Sequence, residues 1–346
     1  MAHSPNESDW GSAASPFSRE AALSNAVRWS EALAQAGKGN REAVVGAVRR
    51  WNPVLRECLR AETRFSLGTS DDRTLVPVKV VDGLPVSFEQ ALRPFEGNEW
   101  LLLNKLQFEE CLNGTTFIQS NLQRINQILN ANVPASQGLG RRESVDDVVR
   151  LAKAALGAIN AEQNLEKVFK IEQDVLGAYF YRRPEIQIYW MAISIIGLAL
   201  AMPIESLTIV VLAHELAHAY MHLGRDIDED AWDTNVMVEA SSHVVEGLAQ
   251  YYSYAVCSRL ESRHPAAVRS FATLVEKQTG PYRAHEKWTM QGERAGEAIR
   301  AAAIGARKRK IASHNQFMEL LNDHRERLQL APLNSAATGS AVQGSG

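Results

Sequence analysis

The stretch Val210-Val211-Leu212-Ala213-His214-Glu215-Leu216-Ala217-His218-Ala219-Tyr220 decides how this chain is read. It is apolar on every side of a helical wheel, which is the pattern of a buried helix rather than a surface one. The helix is expected to open at Pro203, a first-turn residue, with Glu205 also in the first turn. It should run to about Leu223 and stop at Gly224. Between Thr208 and His222 no acidic or basic side chain occurs except Glu215 and the histidines. Two imidazoles and a carboxylate are costly to bury in such surroundings unless something pairs with them, and a metal ion would.

The spacing supports a metal. His214 and His218 are four residues apart, so on a helix they share a face with Cβ atoms about 5–6 Å apart. Both can then reach one tetrahedral Zn2+ at about 2.0–2.1 Å. Glu215 follows the first ligand directly and sits beside the metal without binding it. There it can act as the general base that takes a proton from zinc-bound water.

With these residues in hand, the chain resembles the zincin metallopeptidases. The resemblance is specific over Val211–Tyr220 and extends over about Ser144–Ser262. It implies the zincin order of strand, helix and active-site helix, with Glu185–Trp190 as an edge strand that pairs with an extended peptide substrate. The metzincin branch is excluded, because Met221 and Gly224 stand where it requires Gly and His. His222 continues the histidine face but lies about 12 Å along the axis from His214, too far for one ion, and reads as a helix-end or surface residue. Val245-Glu246-Gly247-Leu248-Ala249-Gln250-Tyr251 resembles the Glu-Gly-x-Ala segment of gluzincins, which implies Glu246 as third ligand. Gly247 and Ala249 would let that helix come close to the first. The gap from His218 to Glu246 is longer than in the best-known gluzincins. Asp226, Asp228, Asp230 and Asp233 therefore stay open as alternatives, either as a solvated acidic loop with Glu229, as carboxylates behind the ligands, or as an aspzincin-like Asp ligand. Gln250, one turn after Glu246, is a candidate partner for a ligand histidine's other N–H. Tyr251, Tyr252, Tyr254, His243, Tyr282 and His285 are candidate donors to a tetrahedral oxyanion.

The fold class expected is α+β and predominantly helical. A zincin-like catalytic domain with a small edge-stranded sheet occupies 141–330. A mixed α/β region at 21–140 precedes it and is a candidate for substrate or partner recognition. Residues 1–20 and 331–346, rich in small and polar residues, are expected to be disordered. The linker is placed at Asn132–Gly140, where Pro134, Ser136, Gly138 and Gly140 cluster. Ala21–Glu62 reads as helix with breaks at Gly37–Asn40 and Pro53. Val76–Val81 reads as a strand entering a hairpin at Asp82-Gly83. Two helices follow the linker, from Ser144 to about Asn160 and from Glu162 to Asp174. Leu176–Tyr181 and Glu185–Trp190 read as strands, and Thr234–Ser262 as one long helix. Helices then continue to about Leu330. Arg307-Lys308-Arg309-Lys310 reads as a solvated helix end.

The chain has 346 residues, a net charge of −3 and a pI near 6.3. Such a balance does not hold a protein on nucleic acid or an anionic membrane. Ile186–Ile204 is free of charge and long enough to raise the question of a membrane span. Gln187, Ser194, Gly197 and Pro203 interrupt it, however, and it divides into a strand and a short apolar helix. Cys58, Cys111 and Cys257 form no metal or disulfide pattern and fit reduced thiols. No secretory leader is read at the N-terminus. The expectation is a cytoplasmic zinc endopeptidase acting on a protein or peptide, its oligomeric state left open. Endopeptidase is preferred because no Gly-x-Met-x-Asn exopeptidase segment precedes the motif. Two alternatives stand beside it. One is a regulatory or adaptor protein that keeps a zincin fold and acts on one partner, mainly by interaction. The other is a membrane-associated zincin.

Overall fold

The computed structural model describes residues 26–34, 41–67, 76–92, 99, 103, 175–228, 230–278, 280–290, 292 and 294–333. Residues 26–34 are helical. The elements after them are α1 (Arg41–Thr63), β1 (Val78–Val81), α2 (Val86–Leu92), β2 (Gly177–Phe180), β3 (Glu185–Tyr189), α3 (Trp190–Ala199) and α4 (Ile204–Leu223). There follow α5 (Thr234–Glu239), α6 (Ser242–Arg259), α7 (Pro265–Lys277), a 3-10 turn (Gly280–Arg283), α8 (Ala284–Trp288), α9 (Ala295–Arg309) and α10 (His314–Arg327). The fold is predominantly helical α+β with one small mixed sheet.

Helix α4 is the axis of the structure. Every residue from Ser206 to His222 is buried, as its all-round apolar pattern requires. Helices α1, α6 and α7 pack on it, and β2 lies across it. Pro203 stands just before the first turn, with extended backbone. Gly224 ends the helix without entering the left-handed region. What demands glycine there is crowding: a Cβ would lie 2.3 Å from the Tyr220 carbonyl oxygen and 2.7 Å from Phe65. Beyond that point Ser66 and Arg225 exchange both backbone hydrogen bonds, at 2.9 and 2.7 Å, and tie the end of α1 to the end of α4.

Helix α1 runs through Pro53 instead of breaking there. An interior proline costs about 3 kcal/mol, and packing offsets it. Trp51, Leu55 and Leu59 are buried, Tyr220 Oη donates to the Arg56 carbonyl at 3.0 Å, and Trp51 Nε1 donates to Glu205 at 2.8 Å.

The sheet order is β1-β3-β2. A four-residue link makes β2 and β3 antiparallel neighbours, with Gly177 opposite Ile188. On the other side β1 adds in parallel, with Val78 opposite Ile186. This overturns two expectations. Asp82-Gly83 forms no hairpin: the chain turns there, Gly83 at φ 111°, and enters α2. Glu185–Trp190 supplies the central strand, not an edge, because β1 pairs with it from a hundred residues away. Among the described residues β2 is an outer strand.

The expected single helix Thr234–Ser262 is two. Ala240 and Ser241 are extended, and the Ser241 N–H donates to the Ala312 carbonyl at 2.7 Å rather than back along a helix. The expected linker and the two helices after it lie outside the described residues, as do 1–20 and most of 331–346. From the two sides of that linker, β1 and α1 join the same sheet and core as β3 and α4. The charge-free run 186–204 is divided between β3, α3 and the turn after it. No helix among the described residues is long and apolar enough to cross a membrane.

The basic run at the end of α9 is not wholly solvated. Arg307 is 4% exposed. Its guanidinium lies over Phe65, 4.2 Å from the ring centroid, and donates to the carbonyls of Gly224 and Asp230. Lys308 pairs with Asp228 and, at 3.8 Å, with Asp230. Arg307→Ala should therefore lower stability by about 2–3 kcal/mol, the cost of stranding two inward-facing carbonyls and losing the ring contact. Urea denaturation checks this, and Lys308→Ala, an exposed pair, should leave the midpoint near that of the unaltered chain.

Candidate metal centre

The site is built where α6 crosses α4. On α4, one helical turn separates His214 from His218, and their rings meet edge to face, 4.7 Å between centroids and 85° between planes. Their Nε2 atoms are 3.0 Å apart. From α6, Glu246 brings Oε2 to 3.2 Å from His214 Nε2 and 3.4 Å from His218 Nε2. His214 is 7% exposed, His218 1% and the Glu246 side chain 16%. The three form a largely buried His/His/Glu group that can hold a metal ion. Burial by itself would raise the Glu246 carboxyl, but the adjoining His218 and His214 imidazoles hold it well below the usual carboxylate range. It is thus the carboxylate form that faces the two imidazole nitrogens.

Glu215 is 2% exposed and lies under β2. Gly177 is the contact: a Cβ there would come within 2.9 Å of Glu215 Cγ, Glu215 Oε1 and Val211 Cγ1. Only a residue without a side chain lets the strand pass so close to this carboxylate. Gly247, in contrast, does not serve the approach of α6 to α4. A Cβ on it would meet the Trp288 ring at 2.4 Å, so it makes room for α8.

The other candidates separate into near and far. Tyr282 is buried, with its ring 5.9 Å from that of His214. His285 is buried behind it, with Nδ1 3.1 Å from the Tyr282 carbonyl and its ring against Phe271. Burial keeps His285 below the usual imidazole range, against the pull of the Tyr282 carbonyl. Gln250 does not partner a ligand histidine; its Nε2 donates to Gln278 Oε1 at 2.7 Å. Tyr251 meets Tyr252 edge to face and points its hydroxyl at Gly296 on α9. His243 packs against His314, and Tyr254 is an exposed residue on Phe271.

Asp226, Asp228 and Asp230 form a second, more exposed group of their own, separate from His214, His218 and Glu246. Asp226 accepts from the N–H groups of Asp228 and Asp230 at 3.0 and 3.2 Å, and Lys308 engages the latter two side chains. Asp233 caps α5 by accepting from Asn235 and Val236 at 3.0 and 3.1 Å. Glu229 lies outside the described residues.

His222 is not at the surface. It is 1% exposed, between Tyr179 Oη at 2.9 Å from Nδ1 and Thr234 Oγ1 at 2.9 Å from Nε2. Burial, with the charge of Arg307, lowers its pKa to about 4 against the influence of Asp233, so it is neutral near pH 7. Tyr181 Oη lies 3.3 Å from His218 Nδ1. Gly177, Tyr179 and Tyr181 were not singled out from the sequence. Their signal was present as the alternation Gly177-Ala-Tyr-Phe-Tyr181, which puts all three on one face of a strand. No family model, no curated protein and no solved structure matches this chain.

Gly177→Val should push β2 and Glu215 apart and cost about 1–3 kcal/mol. Thermal denaturation measures the loss. Metal content should stay unchanged, because none of His214, His218 and Glu246 is in that contact.

Proposed function

We propose that this chain is a zinc-dependent peptidase of the gluzincin type, cutting internal peptide bonds. The observation that carries the reading is the triangle of ligand atoms. Bonds of about 2.0–2.1 Å in a tetrahedron put ligand atoms about 3.3–3.4 Å apart. The sides found here are 3.0, 3.2 and 3.4 Å, from two imidazoles and a carboxylate, the donor set of catalytic zinc. An ion bound there would polarise a substrate carbonyl and make a water more acidic.

The remaining chemistry belongs to the chain. Glu215, next to His214 on α4, takes a proton from the attacking water and delivers it to the departing amine nitrogen. Glu246 lends its charge to the two imidazoles. Tyr282, beside His214, is the best-placed donor for the developing oxyanion. An extended substrate would lie along β2, which among the described residues is the outer strand over Glu215, and not along β3.

Four variants test the reading. Glu215→Gln keeps all three ligands and should bind zinc as the unaltered chain does, while losing about 10²–10⁴-fold in hydrolysis. Equal turnover on a peptide library would defeat the assignment of the base. Glu246→Ala should lose zinc while Asp228→Ala does not; metal analysis showing the reverse would hand the third ligand to the acidic loop. Zinc bound only by the folded chain stabilises it, so a chelator should lower the melting temperature of the unaltered protein and not that of His218→Ala.

A further inference from the structure

We infer that Tyr181 is the positioning residue of the metal centre, holding the His218 imidazole so that Nε2 faces Glu246 and His214; this rests on the reading of those three residues as zinc ligands. The argument starts from β2 and the residue after it. Gly177, Tyr179 and Tyr181 alternate along one face, and each meets α4 on the side that carries the candidate ligands: Gly177 at Glu215, Tyr179 at His222, Tyr181 at His218. The Tyr181 hydroxyl lies at Nδ1, the nitrogen turned away from Glu246 and His214. It therefore belongs behind the ligand, as the acceptor of its N–H, and not among the oxyanion donors. A ligand histidine whose far nitrogen is so engaged has one tautomer and one ring orientation.

The ring of Tyr181 is itself fixed. It meets His218 and His222 edge-on, with centroids at 6.2 and 5.6 Å, and Tyr179 at 5.0 Å and 77°. Tyr179 is anchored on His222, and His222 on Thr234 at the start of α5. The His218 imidazole is thus set by a chain of aromatic and hydrogen-bonded contacts that begins outside α4.

The test is zinc affinity of the full chain, measured by competition with a chromophoric chelator, with the Co(II) d–d spectrum as a second readout. Tyr181→Phe keeps the ring and removes the hydroxyl. It should weaken zinc about 10–100-fold and alter the Co(II) spectrum, while the metal-free melting temperature stays unchanged. Tyr179→Phe removes a contact one step further out. It should lower the melting temperature and leave zinc affinity within about 3-fold, well short of a tenfold step. Equal zinc affinity and Co(II) spectra for Tyr181→Phe and the unaltered chain overturn the assignment. So does Tyr179→Phe weakening zinc as much as Tyr181→Phe, which would mean that the Tyr181 hydroxyl has no role of its own at His218. Zinc binding that survives His214→Ala and Glu246→Ala undiminished removes the metal centre itself and this inference with it.

Discussion

Two imidazoles and a carboxylate brought together in an apolar interior must satisfy one another, and the arrangement of α4 and α6 follows from that need. Charge taken out of water costs several kcal/mol unless it is paired. His214, His218 and Glu246 supply the pairing from two helices that are otherwise apolar or small along the contact. Neither helix brings these three side chains together without the other. The same three atoms, with the imidazole nitrogens unprotonated, form a group that could hold a metal ion. The demand for burial and the capacity for chemistry are one arrangement.

The strand β2 extends this logic outward. A helix that is buried all round has no solvent face on which to place its remaining polar groups, so each must find a partner in the layer above it. Gly177 contributes absence of bulk over Glu215, and Tyr179 and Tyr181 contribute hydroxyls to His222 and His218. That the strand is short does not matter, because three alternate residues span the two helical turns that carry the polar side chains. Among the described residues it is an outer strand of the sheet, and it passes directly over Glu215.

The acidic loop shows why composition alone could not choose among the carboxylates. Asp226, Asp228, Asp230 and Asp233 are as good a source of carboxylate as Glu246, and closer in sequence to His218. The loop is instead folded on itself by backbone donors, and is held by Arg307 and Lys308. Asp233 is spent on a helix cap. The basic run on α9 and the acidic run after α4 are thus one feature, which closes the end of α4.

What the sequence by itself determined is local. Four-residue spacing on an apolar helix placed His214 and His218 side by side, and the apolar setting of Glu246 marked it as a carboxylate in need of partners. The position of α4, the pair β2–β3 and the short apolar helix after it were legible because periodicity and a four-residue turn are short-range signals. The tertiary structure decided everything that joins distant segments. It made β3 central by pairing it with β1, carried α1 through Pro53 on the strength of its packing, and broke Thr234–Ser262 where the Ser241 N–H found the Ala312 carbonyl. It turned Gln250, Tyr251 and His243 away from the centre and brought Tyr181 and Gly177 to it. The reason is that a side chain's face along a helix or strand is set by the repeat of its own backbone, whereas which element meets that face is set by the whole core.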